Sequence, residues 1–313
     1  MIGKREILAM GNDRLRRRAT FASIGVAAIL IIAKLFAYLE TDSVAVLTSL
    51  FDSTFDLVAS IITAYGVASA LRPPDLRHRY GHGKAEPLAA LAQGVFIIGS
   101  SVVLAYEAAS RFYHPQDIAN DNVGYAVMGL AVALTIGLVF FQNHVVGKTK
   151  SSAVGADQLH YLGDLVINLA VIAALGLHHL TGYYWFDPVF ALAIAAGLLV
   201  PAFHILKQAM IALMDAELPQ PMRDKIRDIV LRQPGVRGVH DMRTRSDSDH
   251  IFIELHVEMD GSITLREAHD LTEKIYAAIG AEIPNADILV HQDPVGLEED
   301  RLDTHIETGW SEE

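Results

Sequence analysis

Two acids stand four residues apart in "LTSLFDSTFDLVASII": Asp52 and Asp56, inside an otherwise apolar run. A second pair, His160 and Asp164, repeats the spacing in "HYLGD". In a helix, residues i and i+4 share a face about 6 Å apart along the axis. Each pair therefore forms a two-ligand edge. Brought together, the two edges offer three carboxylates and one imidazole, a set that suits Zn2+, with Fe2+ and Cd2+ admitted less selectively. Each ionisable group at the centre of a bilayer costs about 2.5–3.5 kcal/mol, so three unpaired carboxylates would cost roughly 8–10 kcal/mol. Lys34 is placed near the outer end of the first apolar run, where it can snorkel, and does not neutralise them. A shared metal ion offsets the cost.

Two further clusters have ligand-like spacing. "PPDLRHRYGHGKAEP" holds Asp75, His78 and His82, three and four residues apart. The C-terminal third holds His240, His256, His269, His291 and Asp293. In a strand, i and i+2 point to one side, so His291 and Asp293 can share a metal. Five such ligands suit a binuclear site. There is no cysteine, hence no disulfide framework and no thiolate ligand.

The elements that must position these residues fall into two parts. Of the 313 residues, 51% are hydrophobic, too many for a typical soluble protein of this size. Six apolar stretches, Ala19–Leu39, Val44–Leu71, Pro87–Phe112, Val123–Phe141, Ser152–Leu180 and Pro188–Leu213, reach the length of a membrane-crossing helix. The fifth is the least apolar, since it carries Asp157, His160, Asp164 and Asn168. No cleavable signal peptide is expected, because Arg16-Arg17-Arg18 leads into an uninterrupted span. Lys and Arg concentrate before the first span and in the loops after the second and fourth, which predicts cytoplasmic termini. Tyr183, Tyr184 and Trp185 fit an aromatic belt on the outer side.

From Asp215 onward the net charge turns strongly negative, 23 Asp and Glu against 10 Lys and Arg, which argues against nucleic acid as a partner. "PMRDKIRDIVLRQ" reads as an amphipathic helix ended by Pro234-Gly235. "VRGVHDMRTR", "HIFIELHVEM" and "ADILVHQDP" read as strands. A helix between the last two is capped by Thr264 with Glu267. The expected organisation is an N-terminal tail (1–18), six transmembrane helices (19–213), a small cytoplasmic metal-binding α+β domain of αββαβ, ferredoxin- or metallochaperone-like order (214–297), and a disordered acidic tail (298–313).

"SLFDSTFD", "HRYGHGKAEPLAALAQ", "LHYLGD", "HDMRTR" and "VHQDP" stand in an order and spacing that resembles the cation diffusion facilitator family, in particular its bacterial zinc and iron efflux transporters. The resemblance spans residues 14–295. It implies a homodimer in the bacterial inner membrane that exports divalent cations in exchange for protons. It implies Asp52, Asp56, His160 and Asp164 as transport site, Asp75, His78 and His82 as loop site, and the five C-terminal ligands as binuclear site. It also implies that Lys84 and Asp215 form a charge pair below the membrane. Zn2+ is the expected ion, with Fe2+, Cd2+ and Mn2+ as alternatives; no organic cofactor is expected. No GxxxxGK[ST] is present, so a nucleotide is not expected to drive transport. An intramembrane metalloprotease would want HExxH and an open metal position, and HExxH is absent. A metal sensor that does not transport remains a rival that flux in vesicles would separate.

Overall fold

The computed structural model describes residues 4–41, 44–113, 122–181, 185–247, 250–297 and 301–308. The chain divides into two compact units, residues 1–210 and 211–313.

The first unit is built from long helices: α1 (Lys4–Thr41), α2 (Val44–Ala70), α3 (Ala85–Tyr113), α4 (Asn122–Thr149), α5 (Ser152–Thr181) and most of α6 (Phe186–Leu213). Helix α1 packs on α2 and α4, α3 on α2 and α5, and α4 on α5. Small residues permit the close approaches. A Cβ on Gly66 would lie 2.4 Å from that of Ala89, so α2 and α3 meet there nearly backbone to backbone. Gly94 on α3 likewise admits Leu206 of α6. Many large apolar side chains face outward, among them Phe21, Phe36, Phe51, Phe140 and Val200, as expected where the surroundings are lipid. Among the described residues, α1 to α4 and α6 contain runs long and apolar enough to cross a membrane. Helix α5, 30 residues long, carries Asp157, His160 and Asp164 within its length.

Two expectations need correction here. The segment read as an N-terminal tail is, from Lys4 onward, a continuation of α1. Its Arg16 is buried, 3.6 Å from Glu86 of α3, and donates to the carbonyl of Thr149. Lys34 does not reach away from the acids. Its ammonium donates to Ser53 Oγ at 2.7 Å and to the carbonyl of Ser49 at 3.0 Å, because α1 and α2 lie side by side. The aromatic belt is only partly open to view: Trp185 is exposed, and Tyr183 and Tyr184 lie outside the described residues.

The second unit has α7 (Gln220–Leu231), β1 (Gly238–Ser246), β2 (Ile251–Met259), α8 (Leu265–Glu282), β3 (Ala286–Pro294) and α9 (Leu302–Thr308). The sheet order is β1-β2-β3, antiparallel then parallel. Ile226 and Val230 of α7 and Leu271, Ile275 and Ile279 of α8 pack on Ile253, Leu255 and Val257 of β2. Period-two alternation then sends Glu254, His256 and Glu258 to the opposite face. The Thr264 and Glu267 capping box at the start of α8 is present as expected.

The acidic tail is not wholly structureless. Leu302–Thr308 forms α9, whose backbone amides at Leu302 and Asp303 donate to the Asp241 carboxylate at 3.1 and 2.9 Å. Asp303 in turn accepts from the Asp241 amide at 2.8 Å. Arg301 pairs with Glu258 at 2.6 Å. Local caps order a segment whose composition alone argues against packing. Residues 298–300 and 309–313 lie outside the described residues.

Candidate metal centres

In the helical unit, α2 and α5 bring Asp56, His160 and Asp164 together, with one ligand atom of each within 4.8 Å of the others. His160 Nε2 lies 3.0 Å from Asp56 Oδ1 and 3.7 Å from Asp164 Oδ2. The imidazole is buried and meets Phe96 edge-on at 5.3 Å, which limits its rotation. The three groups open onto a cavity of about 780 Å3 that is also lined by Lys34, Asp52, Ser53 and Glu107. Asp52 is thus in the same cavity, one turn away along α2, but outside the three-residue cluster. Sequence reasoning passed over Glu107; its signal is an acid within the apolar run of α3. Two carboxylates and an imidazole that converge from two helices are oxygen and nitrogen ligands suited to a divalent cation.

In the loop after α2, Asp75 Oδ1 lies 3.4 Å from His78 Nδ1, and Asp75 Oδ2 lies 3.4 Å from His82 Nε2. The geometry is local. Asp75 accepts from the backbone amides of Arg77 and His78 at 2.8 and 2.7 Å, and Gly81 takes φ +89° to turn the chain back. Those amides, that of His78 foremost, hold the Asp75 carboxyl below its ordinary range, ready to bind a cation in its ionised form.

In the second unit the strand register aligns His240 with His256 and His256 with His291, a row of three histidines across the sheet. Asp293 lies beneath them, 4% exposed. It stands 2.9 Å from His256 Nδ1, 3.2 Å from His291 Nε2 and 3.5 Å from His240 Nε2. Four of the five expected ligands therefore converge. His269, on α8 and exposed, is not in these clusters. Two residues not foreseen lie beside the row. Glu258 Oε1 is 3.6 Å from His240 Nδ1, and its signal was the i, i+2 relation to His256. Asp241 joins His240 and His256 within ligand distance because β1 bulges after His240 and Asp241 adopts φ +47°. Burial pushes the Asp241 carboxyl up, but the α9 amides and neighbouring His240 outweigh it and hold it below the ordinary carboxylate value. Lys84 and Asp215 belong to different units; within its own, Asp215 lies 3.3 Å from Arg245.

The model of the cation efflux transmembrane domain matches residues 20–214, and that of the cation efflux protein cytoplasmic domain matches residues 218–295. A cation-efflux pump of Shewanella oneidensis is 41% identical over 280 residues, covering 90% of this chain and 94% of its own. A cation-efflux pump of Cronobacter sakazakii is 42% identical over 290 residues, covering 92% and 96%. Protein p34 of Rickettsia rickettsii is 37% identical over 289 residues, covering 92% and 95%.

Proposed function

Because the chain belongs to the cation efflux family and is a multi-pass membrane protein, we propose that it exports Zn2+ from the cytoplasm in exchange for protons. The observation that carries this reading is the convergence of Asp56, His160 and Asp164 on a cavity within the helical unit. These three bind the cation, and Asp52 completes the set from one turn along α2. Helix α5 crosses the membrane with the other five: Asp164 faces this cavity and Asp157 is buried among neutral donors.

Metal binding requires ionised carboxylates and a neutral imidazole. A proton at any of these positions excludes the ion, so metal and protons compete at one site. With the site open to the cytoplasm, Zn2+ displaces protons; with it open outward, protons displace Zn2+. That exclusion couples the two gradients without a nucleotide. His160 is well placed for the exchange: between Asp56 and Asp164, a protonated imidazole is held by the same carboxylates that otherwise hold the ion. Fe2+, Cd2+ and Mn2+ offer the same charge and compete for the same ligands.

The remaining clusters serve the assembly. The histidine row with Asp293 binds Zn2+ in the cytoplasm, His269 contributes to a second ion, and the bound cations let two acidic domains meet as a homodimer. Asp75, His78 and His82 bind metal at the cytoplasmic membrane surface. The protein resides in the inner membrane with both termini cytoplasmic.

The test is Zn2+ uptake into proteoliposomes with the cytoplasmic face outward. An acidic lumen should raise the initial rate, and competition by Fe2+, Cd2+ and Mn2+ ranks the cations. A rate indifferent to the pH gradient would leave a uniporter; no flux at all would leave a membrane metal sensor.

A further inference from the structure

Asp157 lies on α5 one turn before His160 and is not part of the metal cluster. It is 1% exposed. Its Oδ2 accepts from Ser23 Oγ of α1 at 2.6 Å and from Gln142 Nε2 of α4 at 2.7 Å; its Oδ1 accepts from Gln93 Nε2 of α3 at 3.1 Å. Gln93 Nε2 also reaches Thr63 Oγ1 and the carbonyl of Ala59 on α2. Tyr161, the Ser60 hydroxyl at 2.9 Å from its own, closes the cage on α5 and α2. Five helices thus meet around one acid, and the three side chains that donate to it are neutral. An intramembrane acid bound in this way, with no cation among its donors, is not what packing alone would favour.

A second observation comes from the amides. Gln93 Oε1 and Gln142 Oε1 are both buried with no hydrogen-bond partner among the described residues. A carboxylate only accepts, whereas a protonated carboxyl has an O–H that needs an acceptor. Turning either amide over would supply one. The cage therefore satisfies both forms: the anion through the amide nitrogens, and the neutral acid through one reversed amide whose oxygen accepts from the carboxyl. Each of the two amides thus carries a buried, unpartnered acceptor on the group that donates to the carboxylate.

We infer that Asp157 is a proton-carrying residue separate from the metal ligands. The inference rests on the proton-coupled reading above and deepens it. Asp157 takes up a proton on one carboxylate oxygen as the metal leaves the cluster and gives it up as metal binds; no other covalent bond forms or breaks. It lies on the side of His160 nearer the α4–α5 loop, the end from which an exporter must release protons to the cytoplasm. The titratable groups around it are few. His160 and Tyr161 stand on its own helix and interact with it electrostatically. Helix α2 presents Ser60 and Thr63, with Asp56 one turn from Ser60. Helices α1, α3 and α4 present Ser23, Gln93 and Gln142, and the paired Arg16 and Glu86 lie two turns nearer the loop end.

The test uses the full chain in proteoliposomes, with zinc and proton fluxes recorded together. In Asp157→Asn, zinc flux slows and the number of protons moved per zinc falls by about one, the capacity of a single carboxylate; Asp157→Glu restores the wild-type ratio. A wild-type ratio and pH profile in Asp157→Asn would overturn the inference and leave Asp157 structural. Should that variant not assemble, Ser23→Ala, which removes a donor to the anionic form, is expected to move the midpoint of the flux-versus-pH curve upward, and an unmoved midpoint overturns the inference equally. A wild type indifferent to the pH gradient would overturn the antiport reading and this inference with it. A responsive wild type with an unaltered Asp157→Asn overturns this inference alone.

Discussion

The intramembrane cluster and the histidine row of the second unit use the same donors, imidazole and carboxylate, on different supports. The row sits on three hydrogen-bonded strands, whose spacing of about 4.8 Å is set by the backbone. Its ligands come from aligned positions, and moving them apart means breaking the sheet. The cluster of Asp56, His160 and Asp164 joins two helices that share side-chain contacts, the Ser60–Tyr161 hydrogen bond among them, and no backbone ladder. Sliding or rocking α2 against α5 would separate the ligands without breaking a backbone hydrogen bond. Exposure differs too: the His160 side chain is 6% exposed and that of His291 is 64%. A support that separates easily suits binding and release; a rigid, open one suits retention.

Removing a ligand from each cluster should break this comparison most visibly. Asp56→Ala or Asp164→Ala is expected to reduce zinc flux to background, a loss beyond the roughly 10–100-fold that outer-shell partners of a metal command. The protein should still assemble, as judged by its sedimentation. Wild-type flux in either variant would remove the cluster from the transport path. Asp52→Asn should cost less, about tenfold in the zinc concentration for half-maximal rate, because Asp52 lies one turn outside the cluster and joins it only around an ion.

The second unit should respond in stability rather than rate. At zinc about 100-fold above its dissociation constant, a site confined to the native form adds about 2.7 kcal/mol, which raises the melting temperature of a domain this size by several degrees. Residues 211–313, which have their own core, should show that rise, and His256→Ala with Asp293→Ala should remove most of it. An unchanged melt in zinc would make the row structural. Smaller still is the contribution of α9. Asp303→Ala removes the acceptor for the Asp241 amide and should lower stability by about 1 kcal/mol, the usual worth of a cap.

The smallest effect concerns pH. Backbone and hydroxyl hydrogen bonds from Thr264 hold the Glu267 carboxyl below its ordinary value of 4.5. A carboxyl depressed in the folded state adds stability above that value and loses it as pH falls through the folded one. Melts of the second unit between pH 7 and 3 should therefore converge with those of Glu267→Gln at the acid end. A constant difference across the range would assign the cap no ionic component.

Much of this was legible because spacing maps directly onto a face. The i,i+4 pairs placed Asp56, His160 and Asp164 together, and period-two alternation put His256 and His291 on the sheet face away from the helices. What was not legible depended on relations that spacing does not encode. The bulge at Asp241 arises from a register shift between strands, which a sequence read one strand at a time does not contain. Composition made residues 298–313 look unable to fold, yet three hydrogen bonds between Asp241 and α9 are enough to seat a short helix. Lys34 was read by depth alone, and the neighbour that receives its ammonium, Ser53, is set by how α1 and α2 pair. Asp157 was visible as an acid in an apolar stretch, but its cage draws polar residues from four other helices.

The central claim is that transport belongs to the helix-borne cluster and retention to the sheet-borne one. The most direct measurement is zinc flux under an inward-acid gradient, made side by side on wild type, Asp164→Ala, and the double variant His256→Ala with Asp293→Ala. The account predicts flux at background in Asp164→Ala and gradient-driven flux retained in the double variant. Flux retained in Asp164→Ala but lost in the double variant would contradict it.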